Sequence, residues 1–540
     1  MLNEVDHLGG WAYTTCVGGS TSLGTIRVLI FHGYLLRGTG SNVYNASLAQ
    51  ALARLGHEVH LLCQDREAGA LNWVDGLGRW ADGRLHVEPG PGCSPPGSVT
   101  AYVPEIGSLL PVYVADRYDG FQVKRFAELA DDELDRYLEA NVAAVHDVVK
   151  ALDGVDAALA NHLVMGPAIL ARAGLGFAAK IHGSALEYTV KPEPARFLPY
   201  AREGIDAAAG VLVGSRHTAE SFWQAIGDPD LPARTRLGPP GVDTQLFRPL
   251  AGESPSGRLA QLAATLMAEE PGRGGAFARD ARAAADAIRH LAAAGGPRVV
   301  LVGKLIVSKG VDLLLAAWPL VHRATPGARL LVVGFGEYAG ALQRLWAALA
   351  AGDLEPAREL AARGRALEGG EEKPLRMLGA FLAEPPAGYA DAAREAAGSV
   401  AFAGRLEHDE VGRLLPATDA LVFPSTFPEA FGMVAAEAAA AGVLPVSAAH
   451  SGAAEVSRAL AATLPGGVGE LVSFPLDEGA VSGIARRLNA WLGLDEATRE
   501  RARRALVDTA SELWSWEGVA RGVLAASAGR LEELAPVPTD

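Results

Sequence analysis

Cysteine is scarce: the 540 residues hold three, Cys16, Cys63 and Cys93, with no C-x-x-C pair among them. An odd, scattered set excludes a disulfide framework and a zinc ribbon, and it suits a reducing cytoplasm. Positive charge is also in short supply. Lys+Arg 48 against Asp+Glu 63 leaves a net charge of −15, which argues against a nucleic-acid binder held by phosphate charge. No apolar run reaches the roughly eighteen residues that a membrane-crossing helix needs, so membrane contact is expected to be peripheral at most. The first basic residue is Arg27, so the start lacks the basic opening of a signal peptide. Residues 1–26, rich in Gly, Ser and Thr, read as a flexible N-terminal extension.

What is present is hydrophobic. Apolar residues make up 49% of the chain and charged ones 21%, enough for a sizeable core. Arg27-Val-Leu-Ile-Phe31 has the look of a buried parallel strand. The Gly-rich loop Arg37-Gly-Thr-Gly40-Ser41-Asn42 follows, then a helix around Val43–Leu55 with Ser41 as its expected N-cap, then a strand over Glu58–Cys63. Short apolar segments at Ala157–Ala160, Ala178–Ile181 and Gly210–Val213 alternate with helical ones, which predicts an open parallel sheet. Strand signals restart at Arg298–Val302 and continue at Ala328–Val333, Val400–Ala403 and Ala420–Phe423, predicting a second sheet of the same kind. The fold class is therefore α/β, with two Rossmann-like, doubly wound parallel-sheet domains facing a cleft. The expected divisions are an N-terminal domain over 27–245, a helical linker insertion over 246–297 that breaks at 271–275, and a second domain over 298–505. Two or three helices are expected as an insertion at 338–398, and 506–540 as a closing helical region.

Ligands of such sheets bind beyond the carboxyl ends of the strands. The most informative segment there is Pro424-Ser-Thr-Phe-Pro-Glu429-Ala-Phe-Gly432-Met-Val-Ala-Ala-Glu437. It predicts a helix starting near Phe431 whose free amides, on Phe431, Gly432, Met433 and Val434, favour an anion. Glu429 and Glu437 would repel that anion, so their natural partners are the hydroxyls of a sugar or ribose. Alone, each would read as a dipole-complementing or exposed acid. Val302-Gly303-Lys304-Leu-Ile-Val-Ser308-Lys309-Gly310 places two lysines where they can neutralise a pyrophosphate, or simply be solvated. It lacks the P-loop spacing. The loop at Gly38–Asn42 lacks the full dinucleotide fingerprint, which disfavours a dehydrogenase. His182 ends a strand in Lys180-Ile-His182-Gly183. Asp228-Pro-Asp230 has the form of a metal-binding D-x-D, but it follows a helix in a Pro-rich loop and is rejected as a metal site. Tyr118, Lys124, Arg125, Glu187 and Tyr188 are aromatic and charged groups that could contact a ligand near the cleft, with surface packing as their other reading.

Together these residues resemble the retaining glycosyltransferases of the GT-B fold, family 4. The pair Glu429/Glu437 in an E-x7-E arrangement is the most specific match. Val213-Gly-Ser215-Arg-His-Thr218, Pro240-Gly-Val-Asp243-Thr-Gln-Leu-Phe247-Arg-Pro249 and Trp514-Ser-Trp516-Glu517 support it. The resemblance implies transfer of a sugar, with retained configuration, from a nucleotide-diphosphate sugar to a hydroxyl acceptor. That acceptor would be a sugar, a small molecule or a lipid-linked molecule. The donor is a substrate, and neither a resident cofactor nor a metal is expected. Glu429 would hold donor-sugar hydroxyls and Glu437 the ribose. Lys304 and Lys309 would bind the diphosphate, with Gly40 approaching it from the other domain. The backbone around Arg405 and Leu406 would receive the base, and His182 would lie near the anomeric carbon. Many members carry Arg where Lys304 stands; lysine keeps the charge but not the bidentate fork. The closing helix would cross back to the first domain. A nucleotide-sugar-binding protein without turnover, a GT-B phosphorylase or an epimerase stays open as an alternative, and an oligomer is allowed.

Overall fold

The computed structural model describes residues 24–94, 96–114, 118, 120–269 and 279–538. Residues 1–23 of the expected extension, the expected break at 271–275 and the last two residues lie outside them.

Arg27–Phe31 is a strand whose last four residues are buried. Leu29 and Phe31 join one apolar cluster while Val28 and Ile30 join another, on the opposite face. Burial on both faces is why such strands read as unbroken apolar runs. Across this sheet the order is Thr235–Leu237, Gly210–Val213, Ala178–Ile181, Ala157–Asn161, Arg27–Phe31, Glu58–Leu62, Ser98–Val103, Gly76–Ala81 and Arg84–Pro89. The last pair is antiparallel and the rest are parallel. That edge corrects the expectation of a wholly parallel sheet. Its outer strand is exposed along almost its whole length, so it offers no apolar run to read.

The second sheet is parallel throughout, in the order Val400–Gly404, Arg329–Val333, Arg298–Val302, Ala420–Phe423, Leu444–Ala448 and Ser473–Phe474. In each domain the first strand is internal, and chain order reverses across it. Arg27–Phe31 lies between Glu58–Leu62 and Ala157–Asn161, and Arg298–Val302 between Arg329–Val333 and Ala420–Phe423. Loops leaving such switch points are where these sheets bind ligands.

The inserted segments belong to the second domain. Helices Pro255–Ala268 and Ala281–Ala292 bury Leu259, Leu262, Ile288 and Leu291 in its core, so the expected linker is a packed layer. The 338–398 region forms four helices, Ala339–Ala350, Glu355–Arg363, Arg376–Ala383 and Tyr389–Glu395, where two or three were expected. Helix Glu496–Leu513 packs there too, through Ala502, Leu506 and Ala510, so a division at 505/506 falls inside it. The chain crosses back between Trp514, in the second domain's core, and Trp516, in the first domain's. There it meets the outgoing crossing, where the Val242 amide donates to the Trp514 carbonyl at 2.8 Å.

Candidate active site

The carboxyl ends of both sheets open on one cleft of about 390 Å³. The residues expected to carry donor binding and catalysis line it: Gly40 and His182 from the first domain, and Lys304, Lys309, Arg405, Leu406, Glu429, Phe431, Gly432, Met433, Val434 and Glu437 from the second.

The loop after strand Ala420–Phe423 is held on several sides. The Glu429 amide donates to Ser451 Oγ at 2.9 Å, and the Gly452 amide donates to the Glu429 carbonyl at 2.9 Å. Ser425 Oγ donates to Glu429 Oε1 at 2.5 Å, and His450 Nε2 lies 2.7 Å from the Ser425 carbonyl. The helix begins at Met433, two residues later than expected, because Gly432 caps it at φ +114°. A side chain is strained there, and without a side-chain cap the amides of Met433 and Val434 are left at the cleft. Glu437 falls in the second turn and is buried, 4% exposed, with Oε1 at 2.9 Å from His408 Nε2. Burial pulls the His408 pKa down, but the Glu437 carboxylate and its hydrogen bond outweigh that and raise it above the ordinary value.

Lys309 sits on the short turn Val307–Lys309, and its Nζ lies 2.5 Å from Glu429 Oε1. The two residues expected to hold different parts of a ligand are thus paired with each other. Ser308 ties the turn to the Glu429 loop, its carbonyl accepting from the Thr426 amide at 2.8 Å. Arg405 is buried, donates to Glu407 Oε1 at 2.8 Å and lies over the Phe335 ring at 5.8 Å.

In the first domain the helix starts at Gly40 with Thr39 as N-cap, which corrects the placement of the cap at Ser41. His182 Nε2 is 2.9 Å from Asn161 Oδ1. The Asn161 amide nitrogen already donates to the Phe31 carbonyl at 3.2 Å, so Oδ1 accepts and Nε2 carries the proton. Burial, then the neighbouring His162, Lys180 and His32, hold the His182 pKa well below the usual histidine range, and the ring is neutral. Beside it Lys180 is buried against the Gly238 carbonyl and the Tyr44 ring, and burial lowers its pKa to about 7.

The domains touch across the cleft. Gly183 and Gly214 of the first pack against Ala430 of the second. Tyr188 stacks on Phe427 with ring centroids 4.6 Å apart. Glu455 accepts from the Arg216 amide at 2.9 Å and the His217 amide at 3.0 Å, capping the Arg216–Ile226 helix from the opposite domain.

The other sequence candidates fare differently. Tyr188 lines the cleft, while Tyr118 is buried in a small separate cluster. Lys124 pairs with Glu133 at 2.6 Å, Arg125 with Glu128 at 2.6 Å and Glu187 with Lys191 at 2.8 Å. Asp228 uses its carboxylate to close a turn, accepting from the Asp230 amide at 2.9 Å. Sequence reasoning missed Phe335, His408, Ser425 and Ser451. Phe335 and Ser425 each lie two residues past a strand end, which was the readable signal among them.

Residues 38–246 match the profile of Glycosyltransferase Family 4, and residues 389–505 that of Glycosyl transferases group 1, together more than half of the chain. A GDP-mannose-dependent alpha-(1-6)-phosphatidylinositol monomannoside mannosyltransferase from Mycobacterium tuberculosis is 27% identical over 202 residues, 37% of this chain and 42% of that one. A glycogen synthase from the same species is 30% identical over 240 residues, 44% of each chain. The chain thus aligns with less than half the length of these curated relatives. Among solved structures, sucrose-phosphate synthase from Thermosynechococcus elongatus superposes with TM-score 0.52 at 18% identity, covering 94% of this chain and 98% of that one. Anabaena Alr3699/HepE in complex with UDP and glucose gives 0.51 at 17%, covering 94% and 100%. At these identities the structures speak to the fold. With one family profile on each domain and that fold between them, the chain belongs to glycosyltransferase family 4 and has its two-domain GT-B architecture.

Proposed function

We propose that this protein moves a sugar from a nucleotide-diphosphate sugar to an acceptor hydroxyl, with retention of configuration and without a metal ion. The observation that carries the reading is the convergence in one interdomain cleft of Lys304 and Lys309, Glu429 and Glu437, and the open N-terminus of Met433–Ala440. Lysine ammonium groups and first-turn amides suit a diphosphate; oriented carboxylates, Glu437 buried and Glu429 half-buried, suit hydroxyls.

Charge development gives the mechanism. The bond from the anomeric carbon to the diphosphate breaks, and its electron pair stays on the phosphate oxygen. Positive charge grows on the sugar and negative charge on the leaving group. Lys304, Lys309 and the helix amides face the second charge, supplying the neutralisation a divalent cation gives elsewhere. Neutral His182 adds no repulsion to the first. The acceptor oxygen bonds to the same face of the carbon, and its proton passes to the departing phosphate oxygen, so no protein base is required. Glu429 is offset by Lys309 in the free protein, and donor phosphate would draw that ammonium toward itself while the carboxylate takes sugar hydroxyls.

The relatives named above act on GDP-mannose and a phosphatidylinositol mannoside or hold UDP and glucose, so base, sugar and acceptor are the variables to screen. Cys63 and Cys93 are free thiols, which favours a reducing cytoplasm; no helix among the described residues is long and apolar enough to cross a membrane. The test is a panel of uridine, guanosine and adenosine diphosphate sugars with sugar and lipid-linked acceptors, run with and without chelator. Release of the nucleoside diphosphate with formation of a retained glycoside supports the reading. Phosphate-dependent sugar release, or binding with no transfer or hydrolysis, contradicts it.

A further inference from the structure

The Val307–Lys309 turn carries one of the two cleft lysines, yet its first amide has no partner inside the turn, as at any helical start. That partner comes from far along the chain. The Val307 amide donates to Glu368 Oε2 at 2.7 Å. Glu368 lies on the short helical turn Arg365–Glu368, between the second and third helices of the 338–398 insertion. Its carboxylate is 13% exposed and is oriented by Arg365, whose Nε lies 3.3 Å from Oε1. The turn carrying these residues is itself pinned by the pairing of Gly364 with Lys373 and by the Arg365 amide donating to the Lys373 carbonyl at 3.2 Å.

We infer that Glu368 is a positioning residue for the donor-phosphate loop: the insertion supplies the anchor that fixes the Val307 amide and, through it, where Lys309 presents its ammonium. This rests on the reading of Lys309 as a diphosphate ligand. Two further observations agree with it. In the same turn the Ser308 carbonyl accepts from the Thr426 amide of the Glu429 loop, so Glu368 and the Glu429 loop hold adjacent residues of one turn. Behind them Asp312 is 3% exposed with Oδ1 lacking a partner, and burial, with the Glu368 charge adding, raises its pKa to about 7. Arg365 offsets the charge of Glu368, so a carboxylate can sit at the base of a phosphate loop without repelling the ligand. A carboxylate receiving a backbone amide makes a stronger bond than a neutral oxygen would, which suits an anchor whose own segment is an insertion.

The test uses the full chain in three forms: wild type, Glu368→Ala and Glu368→Gln. Amide hydrogen exchange over 305–310 is read first, since it needs no substrate. The inference predicts exchange at least about tenfold faster there in Glu368→Ala, with much of the protection recovered in Glu368→Gln, whose side-chain oxygen still accepts. Donor KM should rise about tenfold in Glu368→Ala, with acceptor KM unchanged and partial rescue in Glu368→Gln. Unchanged exchange over 305–310 in Glu368→Ala overturns the inference, as does an equal rise in exchange across the whole second domain. Should wild type transfer no sugar, the functional reading fails, while the exchange result still decides the anchor.

Discussion

Replacing Lys309 with methionine separates what its charge does for the fold from what it does for the reaction. In the free protein Lys309 faces Glu429 at 2.5 Å, with side chains 26% and 18% exposed. Opposite charges in such a partly solvated pair attract by a few kcal/mol before screening and desolvation, and pairs of this kind contribute about 1 kcal/mol or less to stability. Glu429 is not stranded by the change, because Ser425 Oγ still donates to it. Lys309→Met should therefore fold and lose about 1 kcal/mol or less. The reaction is a different matter. Negative charge on the diphosphate is largest as the glycosidic bond breaks, so an ammonium held there stabilises the transition state more than bound donor. Removing one preorganised group of that kind costs about 10²- to 10³-fold in kcat. The assay is kcat at saturating donor beside urea unfolding of the same preparation. If kcat stays within about threefold of wild type, or falls only in proportion to the unfolded fraction, the assignment of Lys309 to the leaving group is wrong.

Other expectations follow from neighbouring contacts. Glu437→Gln should weaken nucleoside diphosphate binding about tenfold by calorimetry, since a carboxylate accepts from paired ribose hydroxyls more strongly than an amide does. The same pair sets a pH dependence. The folded pKa of His408 lies above its unfolded value near 6.5, so the His408–Glu437 pair stabilises fully below about pH 6.5 and less as pH rises through the raised value. The melting-temperature gap between wild type and Glu437→Gln should shrink toward alkaline pH; a gap that widens contradicts the sign. Gly310 has φ +62°, and a Cβ there would lie 2.1 Å from the Pro424 carbonyl oxygen, whereas one at Gly303 meets nothing within 4 Å. Gly310→Ala should lower the melting temperature well below that of Gly303→Ala, and equal values would remove the strain argument. Glu455→Ala leaves two helix-start amides uncapped across the cleft, so small-angle scattering should show a larger radius of gyration in solution.

How much of this could be read from sequence depends on the range of the contacts. Arg27–Phe31, Arg298–Val302 and Ala420–Phe423 were legible because strands buried on both faces must be apolar throughout. The cleft residues were legible because each lies in the loop or helix that follows the carboxyl end of a strand. The edge pair Gly76–Ala81 and Arg84–Pro89 was not, since one strand is solvated and carries no burial pattern. Thr39 displaced Ser41 as cap although it makes no side-chain cap bond; the loop path decides the start there, not capping preference. Glu368, His408 and Glu455 act on partners 61, 29 and 239 positions away, and no local periodicity encodes such meetings. The linker helices were visible as helices, but which domain they would cover was not, because their apolar stripes fit any exposed sheet face.

On the proposed reading the second domain's strand-end loops grip a nucleoside diphosphate by its two ends. A crystal structure with whichever of uridine, guanosine or adenosine diphosphate binds tightest by calorimetry decides this. The diphosphate is expected within about 3.2 Å of Lys304, Lys309 or the amides at Met433 and Val434, with ribose hydroxyls on Glu437. A nucleotide seated outside the cleft, or inside it with the ribose turned away from Glu437, would rule this binding mode out.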